Sequence, residues 1–244
     1  MTAARRLVLA VVPAMLLRPG VTASPAASHT LSFRTEDGVT IVATLYEAPR
    51  RPAPAVILLH MLTRSREDWQ PLADRLAEAG IHALAVDFRG HGGSGSGPAA
   101  ADSEPDLSRL VLDAKAARTY LASHPELVRA SAIGIAGASL GASIAMLEAA
   151  ADPSIRSLAL LSPAMDYRSL RAEPAMRKYG PRPALLIAAS NDPYALRSVK
   201  QIVALGGGVR DARTLDSAGH GTAMFARDPE LARILVDWFE RTLL

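Results

Sequence analysis

The chain contains no cysteine among its 244 residues. This absence excludes disulfide bonds, a thiolate nucleophile and metal sites built on cysteine ligands. It does not define the compartment in which the protein works, because a chain without thiols meets no disulfide-pairing problem on export. The chemistry of any site must therefore come from other side chains.

The chain also lacks an excess of one charge outside its first residues. Lysine and arginine total 27 against 24 for aspartate and glutamate, and three arginines near the N-terminus account for the difference. The rest of the chain is formally neutral and shows no basic patch, so we expect no nucleic-acid partner. Hydrophobic residues make up 49% of the chain, which is enough for one large α/β domain.

The apolar run near the N-terminus is too short to cross a bilayer. Leu7–Leu17 falls below the roughly 20 residues that a spanning helix needs, so we expect no stable membrane span. Because Arg5 and Arg6 precede this run and small residues follow it, the pattern predicts a signal peptide over residues 1–23. We expect an exported protein, periplasmic or secreted, with a membrane-tethered or a cytoplasmic protein as alternatives.

Residues 24–30 predict a linker and residues 31–244 a single domain. Leu31–Arg34 and Ile41–Tyr46 flank a turn signal and predict an antiparallel hairpin. After them, apolar strands alternate with helical segments, which predicts a mostly parallel sheet with helices on both faces and the hairpin at one edge. The predicted strands are Ala55–Leu59, Ile81–Val86, Ala132–Ala136, Leu158–Leu161, Ala184–Ala189 and Val209–Leu215.

Two helix starts can also be identified in the sequence. Ser65, followed three residues later by Asp68, resembles a capping box. Asp106 stands directly before an amphipathic segment and predicts an N-cap. We therefore expect helices to begin just after Ser65 and just after Asp106.

The segment Gly137-Ala138-Ser139-Leu140-Gly141 lies between an apolar strand and a helical run. A Gly-x-Ser-x-Gly at a strand-to-helix turn is typical of a nucleophile elbow, where only small residues fit two positions before and after the serine. Such a turn lifts the hydroxyl out of the sheet toward the positive end of the next helix. We therefore interpret Ser139 as a nucleophile, with a glycine-rich turn and an incidental serine as the alternative.

A serine nucleophile needs a base, and the base needs an acid to orient it. Asp192 follows a predicted strand end, but it also fits a helix N-cap, and we expect one carboxylate to serve both roles only imperfectly. Asp166, after the preceding strand, is the rival acid. Among the six histidines only His220 follows the last strand, in a loop with glycine on both sides. The order Ser139, Asp192, His220 favours a catalytic triad.

With these residues in place, the chain resembles the α/β-hydrolase superfamily from about Leu31 to its end. The elbow, the order of the three site residues and the segment Val86–Ser94 all look like those of its members. The most similar branch contains dienelactone-hydrolase-like and serine-peptidase-like esterases, although dienelactone hydrolases proper use a cysteine nucleophile. The resemblance implies the α/β-hydrolase fold over this whole region.

The same resemblance implies an oxyanion hole made of backbone N–H groups. One donor would be Leu140, directly after the nucleophile, and the other would be Met61 or Leu62 in the loop after the first central strand. Family members usually carry glycine where Met61 stands.

We expect His60 to hold its own loop and assign it no chemistry. A zinc site of His60, His91 and Asp87 is the alternative, without the His-x-x-x-His spacing of a helix. No metal and no cofactor is predicted.

The resemblance further implies a serine hydrolase that cleaves small carboxylic esters through an acyl-enzyme intermediate. Many members insert a lid where this chain has only Ser162–Arg182, so we expect little or no lid and short acyl substrates. The residues expected to form a small cap are Tyr167, Leu170, Met176 and Tyr179. The alternatives are a peptidase or amidase, a cofactor-free haloperoxidase-like enzyme, and a catalytically inactive binding module with the same fold.

Overall fold

The computed structural model describes residues 27–95, 106–205 and 207–244. The predicted signal peptide and the first residues of the predicted linker lie outside these ranges. Strands and helices alternate along most of the chain, as the apolar pattern predicts. In the described ranges, no helix has the length and apolar character that crossing a bilayer requires.

The sheet strands and the helices follow the predicted order closely. The strands are β1 Ser28–Arg34, β2 Thr40–Tyr46, β3 Ala53–Leu59, β4 His82–Val86, β5 Val128–Ala138, β6 Ile155–Leu161, β7 Asp166–Tyr167, β8 Leu170–Arg171, β9 Ala184–Ala189 and β10 Arg210–Leu215. The α-helices are α1 Gln70–Glu78, α2 Leu110–Ala122, α3 Leu140–Ala151, α4 Ala172–Tyr179, α5 Pro193–Ala204 and α6 Leu231–Leu243.

The main sheet has eight strands in the order β1-β2-β4-β3-β5-β6-β9-β10. The six neighbouring strands β4, β3, β5, β6, β9 and β10 are parallel, and the β1–β2 hairpin is antiparallel at one edge, as predicted. From β3 the chain first moves outward to β4 and then returns to β5 on the other side. The carboxyl ends of β3 and β5 therefore form a topological switch point, where open α/β sheets bind their ligands.

The edge hairpin is longer than the sequence predicts. Ser28 pairs with Tyr46, so β1 begins three residues before Leu31 and the predicted linker boundary at residue 30 is wrong. The reason is that β2 offers backbone partners along its full length. Glu47 N–H also donates to the Ala27 carbonyl at 2.8 Å, which extends the pairing by one more bond.

The helices cover both faces of the sheet. The side chains of α1 and α6 form one apolar cluster with the sheet, and those of α2, α3, α4 and α5 form a second cluster on the other face. The strands β3, β4 and β9 are buried along their whole length, because each has packed helices on both sides. The parallel strand ends that carry the site are thus rigidly supported.

The two predicted helix starts differ in outcome. The carboxylate of Asp106 accepts from Ser108 N–H at 3.0 Å, so this cap is confirmed. The capping box at Ser65 is wrong, since its side chain makes no cap bond and a 3-10 turn, Arg66–Trp69, follows. Asp68 does not reach back to the cap because its carboxylate is already bound by the side chains of Arg64 and Thr222.

The segment between β6 and β9 contains only the small β7–β8 hairpin and the helix α4, which agrees with the prediction of little or no lid. The cap residues named from the sequence are mostly wrong. Met176 and Tyr179 are 0% and 1% exposed and belong to the core, and Leu170 is buried as well. Their apolar side chains complete the helix layer over α3, so only Tyr167 stays partly exposed.

The imidazole of His60 connects the carboxyl ends of β3 and β4. Its Nε2 accepts from Phe88 N–H at 3.0 Å, which requires Nδ1 to carry the proton that it donates to the Met61 carbonyl at 2.8 Å. Complete burial lowers the pKa of His60 to about 4, and the Met61 bond offsets this only in part. The ring is therefore neutral and holds its loop, as the sequence predicts.

This burial predicts a pH dependence of stability. The unfolded chain binds a proton at His60 near pH 6.5 and the folded chain only near pH 4, so the free energy of unfolding falls as pH is lowered through that window. His60→Asn, which does not titrate there, is expected to be less stable than the parent. Between pH 6.5 and pH 4, however, its free energy of unfolding is expected to fall by about 3 kcal/mol less than that of the parent. Urea unfolding at a series of pH values measures the difference, and parallel pH profiles would contradict it.

Candidate active site

Ser139 stands at the switch point, between the end of β5 and the start of α3. Its φ of 51° and ψ of −112° place a non-glycine residue in a sparsely populated conformation. Such strain costs roughly 1–3 kcal/mol and persists only where the surroundings enforce it. Ser139 N–H donates to the Leu161 carbonyl at 2.9 Å, so the turn is tied to β6. A strained serine at a turn from strand to helix is the backbone arrangement that a nucleophile elbow requires.

The two glycines of the pentapeptide are required by backbone contacts. A Cβ on Gly137 would lie 2.1 Å from the carbonyl oxygen of Gly141. A Cβ on Gly141 would lie 2.2 Å from the carbonyl oxygen of Leu59 at the end of β3. The first turn of α3 therefore rests directly against the strand whose following loop contains Met61 and Leu62.

The structure brings Ser139, His220 and Asp192 together. The Nε2 of His220 lies 2.8 Å from Ser139 Oγ, and its Nδ1 lies 2.6 Å from Asp192 Oδ2. Because the carboxylate only accepts, Nδ1 carries the proton and Nε2 is left to accept from the serine hydroxyl. The His220 side chain is 50% exposed and that of Asp192 13%. The acid at one end of this chain of hydrogen bonds is therefore largely enclosed by protein, whereas the ring in its middle is half exposed to solvent.

Asp192 also caps α5, and the two roles do not conflict. Its Oδ1 accepts from Ala195 N–H at 3.2 Å while Oδ2 accepts from His220. The expected compromise between the two roles is therefore wrong, since each oxygen serves one partner. The rival Asp166 is exposed in β7, where its carboxylate accepts from Ser169 N–H, and it makes no hydrogen bond to His220.

The residues predicted to supply the oxyanion donors lie next to Ser139 and His220. Leu140 is the first residue of α3, so its N–H has no partner within the helix. Within the described ranges, the N–H groups of Met61 and Leu62 donate to no protein acceptor. Met61 is accommodated because Gly221 lacks a Cβ, which would lie 2.6 Å from the Met61 sulfur. A side chain at the usual glycine position is thus compatible with the loop.

The loop that carries His220 is held by side chains that the sequence analysis missed. Asn191 Oδ1 accepts from Gly219 N–H at 2.9 Å, and Ser162 Oγ accepts from Gly221 N–H at 3.0 Å. Thr222 donates its hydroxyl to Asp68 at 2.6 Å. The polar run Ser190–Asp192 directly follows a buried strand, and this local pattern was a signal for the bond between Asn191 and Gly219. No local signal pointed to Ser162 or Asp68, because their partners lie far away in sequence.

The residues of the alternative zinc site serve other bonds. Both ring nitrogens of His60 are occupied by backbone groups, as described above. The Asp87 carboxylate accepts from the backbone N–H groups of Arg66 and Gly93, each at 2.7 Å, and from the Arg66 guanidinium. In the described ranges no group of three potential ligand side chains is arranged to hold a metal ion. These side chains hold the loops after β3 and β4.

Comparison with curated proteins finds a partial match. An acyltransferase from Aspergillus calidoustus is 34% identical over 134 residues, which cover 54% of this chain and 42% of that protein. The matched region covers 42% of this acyltransferase and 20% of a second curated relative. The chain therefore spans less than half of the length of each of them.

Solved structures of similar fold match along nearly their whole length. A dienelactone hydrolase from Anabaena variabilis has a TM-score of 0.73 at 18% identity, covering 91% of this chain and 100% of that one. An esterase from Pyrococcus furiosus has a TM-score of 0.73 at 20% identity, covering 90% and 94%. At these identities the likeness shows the α/β-hydrolase fold.

The remaining comparison is with protein families. The Hydrolase_4 family, described as serine aminopeptidase S33, matches residues 50–205, which is more than half of the chain. This range includes β3 to α5, with the Gly137–Gly141 segment and Asp192. The chain is therefore a member of the serine aminopeptidase S33 family and has the α/β-hydrolase fold.

Proposed function

We propose that the protein is a serine hydrolase that cleaves small carboxylic esters through Ser139, His220 and Asp192. The observation that carries this proposal is the continuous chain of hydrogen bonds from Ser139 Oγ through both nitrogens of His220 to Asp192. A nucleophile, a base and a group that orients the base are the three parts that acyl transfer requires.

In the acylation step, His220 Nε2 takes the proton of the Ser139 hydroxyl while Oγ attacks the ester carbonyl carbon. The negative charge that develops on the carbonyl oxygen is stabilised by the N–H of Leu140 and by that of Met61 or Leu62, together with the positive end of α3. When the tetrahedral intermediate collapses, His220 passes the proton to the leaving alcohol. The acyl group then remains on Ser139.

In the deacylation step, water takes the place of the alcohol. The half-exposed ring of His220 is reached by solvent, so it can take a proton from a water whose oxygen attacks the acyl carbon. The ring returns this proton to Ser139 Oγ as the bond between Oγ and the acyl carbon breaks and the carboxylic acid leaves. Asp192 holds the proton-bearing Nδ1 throughout and stabilises the imidazolium that forms twice in each cycle. Because Asp192 is also bound to the first turn of α5, the ring is oriented by a fixed element.

The short segment between β6 and β9 supports a preference for short acyl chains. Its helix α4 is part of the core, and only the β7–β8 hairpin lies beyond the strand ends. A long acyl chain gains binding energy only where apolar side chains cover it, at about 0.8 kcal/mol for each buried methylene. Among the described residues, this segment offers little cover of that kind.

Amide hydrolysis is the second candidate function, because the family is described as a serine aminopeptidase family. The same three residues would act, and the leaving group would be an amine. Aminoacyl p-nitroanilides measured beside p-nitrophenyl esters discriminate the two candidates. Turnover of the anilides at rates comparable to the esters would favour the peptidase.

One prediction of this proposal concerns the nucleophile. Ser139→Ala is expected to abolish labelling by a fluorophosphonate probe and to lower ester kcat by about 10⁴-fold or more, because no hydroxyl remains to be acylated. Ser143→Ala is the matched control, since it removes a buried serine hydroxyl without a partner from the same helix. It should retain labelling and kcat within about twofold. A parent protein without labelling, or a labelled Ser139→Ala, would contradict the proposal and leave the inactive binding module as the better account.

A further prediction of the proposal concerns acyl length. With p-nitrophenyl esters from acetate to palmitate, kcat/KM is expected to be highest for acetate or butyrate and to fall for longer chains. A covered apolar channel would instead raise kcat/KM about fourfold for each added methylene. Initial rates below micelle-forming concentrations measure the slope, and a maximum at palmitate would rule out the open site.

A further inference from the structure

Ser162 occupies the point where the elements of all three proposed catalytic residues meet. It directly follows β6, whose last residue, Leu161, accepts the N–H of Ser139 at 2.9 Å. Its own N–H donates to the Ile187 carbonyl at 2.8 Å, in the strand that leads to Asp192. The backbone around Ser162 is thus bonded to the strand of the nucleophile on one side and to the strand of the acid on the other.

The side chain of Ser162 provides the third connection. Its Oγ accepts at 3.0 Å from the N–H of Gly221, the residue directly after His220. Ser162 is 2% exposed and has a φ of 48°, a backbone conformation that non-glycine residues seldom adopt. A buried hydroxyl on a strained backbone, aimed at the neighbour of the base, is not explained by packing.

The bond matters because it fixes the backbone directly after the ring, while Asn191 holds Gly219 N–H before the ring and Asp68 holds Thr222 one residue further on. Gly219 and Gly221 flank the histidine with φ values of 89° and 57°, so the loop itself allows many conformations. Without the Ser162 bond, Gly221 N–H would have no protein acceptor next to the ring. The loop could then rotate and move Nε2 away from Ser139 Oγ.

We propose that Ser162 is a positioning residue, which holds Gly221 N–H and thereby keeps His220 between Ser139 and Asp192. This inference rests on the proposed function of those three residues. Ser162 does not touch the reacting atoms in this arrangement; it acts through the backbone of the loop. A displacement of the base by about 1 Å is enough to lower turnover by about 100-fold, so one hydrogen bond can carry a large effect.

Three variants test the proposal. Ser162→Ala removes the hydroxyl, and Ser162→Gly removes it while also relieving the strained backbone, so the second variant stays informative if the first folds poorly. The matched control is Ser157→Ala, which changes a buried serine within β6 whose hydroxyl accepts from Thr242, away from the end of the strand that Ser162 follows. Two readouts are taken for each: kcat and KM with p-nitrophenyl acetate, and the low-field proton resonance of His220 Nδ1–H at low temperature.

Both Ser162 variants are expected to lower kcat by at least about tenfold with KM changed less than about twofold, and to lose the low-field resonance. Ser157→Ala should keep both within the range of the parent. The resonance requires an ordered His220–Asp192 bond, so a loss of global stability alone does not remove it. A Ser162→Gly variant that keeps kcat within twofold of the control, or either Ser162 variant that keeps the resonance, overturns the proposal.

The two claims can fail separately. If the parent hydrolyses no ester and takes no fluorophosphonate probe, the proposed function fails, while the resonance still decides whether Ser162 holds His220. If the parent lacks the resonance, the ordered bond between His220 and Asp192 is absent, and the positioning role of Ser162 is overturned.

Discussion

The two hydrogen bonds of the His220 ring are the interactions on which the site depends. They join residues that are 81 and 28 positions from His220 in the sequence, and each partner sits at the end of a different strand. Parallel strands bring their carboxyl ends to one edge of the sheet, so the fold places the three side chains within reach of one another. The bonds themselves then require that the loop after β10 has one conformation.

Much of this arrangement was predictable because local sequence patterns carry it. The strands β3, β4 and β9 are apolar along their whole length, since helices cover both of their faces. The glycines at 137 and 141 had to be glycines because backbone atoms of other residues occupy the space of their side chains. The order of serine, aspartate and histidine followed from the order of the strands.

What was missed depends on contacts between distant parts of the chain. Ser162 bonds to a residue 59 positions away, and Asp68 bonds to Thr222 over 154 positions. A serine after a strand, or an aspartate in a helical turn, has the same local pattern whether or not such a partner exists. The same limit explains why Ser65 was wrongly assigned a capping box and why Met176 and Tyr179 were wrongly assigned to a cap. The side chains of Arg64 and Thr222 bind the Asp68 carboxylate that the capping box would need. Met176 and Tyr179 pack against α3.

One side chain of the site can serve both the fold and the proposed chemistry. Asp192 uses one oxygen for the first turn of α5 and the other for His220, so the acid is held by the element that it caps. The strained backbone of Ser139 is held in a similar way, by β6 on one side and by the close contact of Gly141 with Leu59 on the other. Fold and site are built from the same few contacts at the carboxyl edge of the sheet.

The most direct test of this account is a crystal structure of the protein after reaction with a small alkyl fluorophosphonate. We expect phosphorus bonded to Ser139 Oγ, with the phosphoryl oxygen accepting from Leu140 N–H and from the N–H of Met61 or Leu62, and His220 still bound to Asp192. Phosphorus on another residue, or a phosphoryl oxygen that meets neither backbone donor, would contradict it.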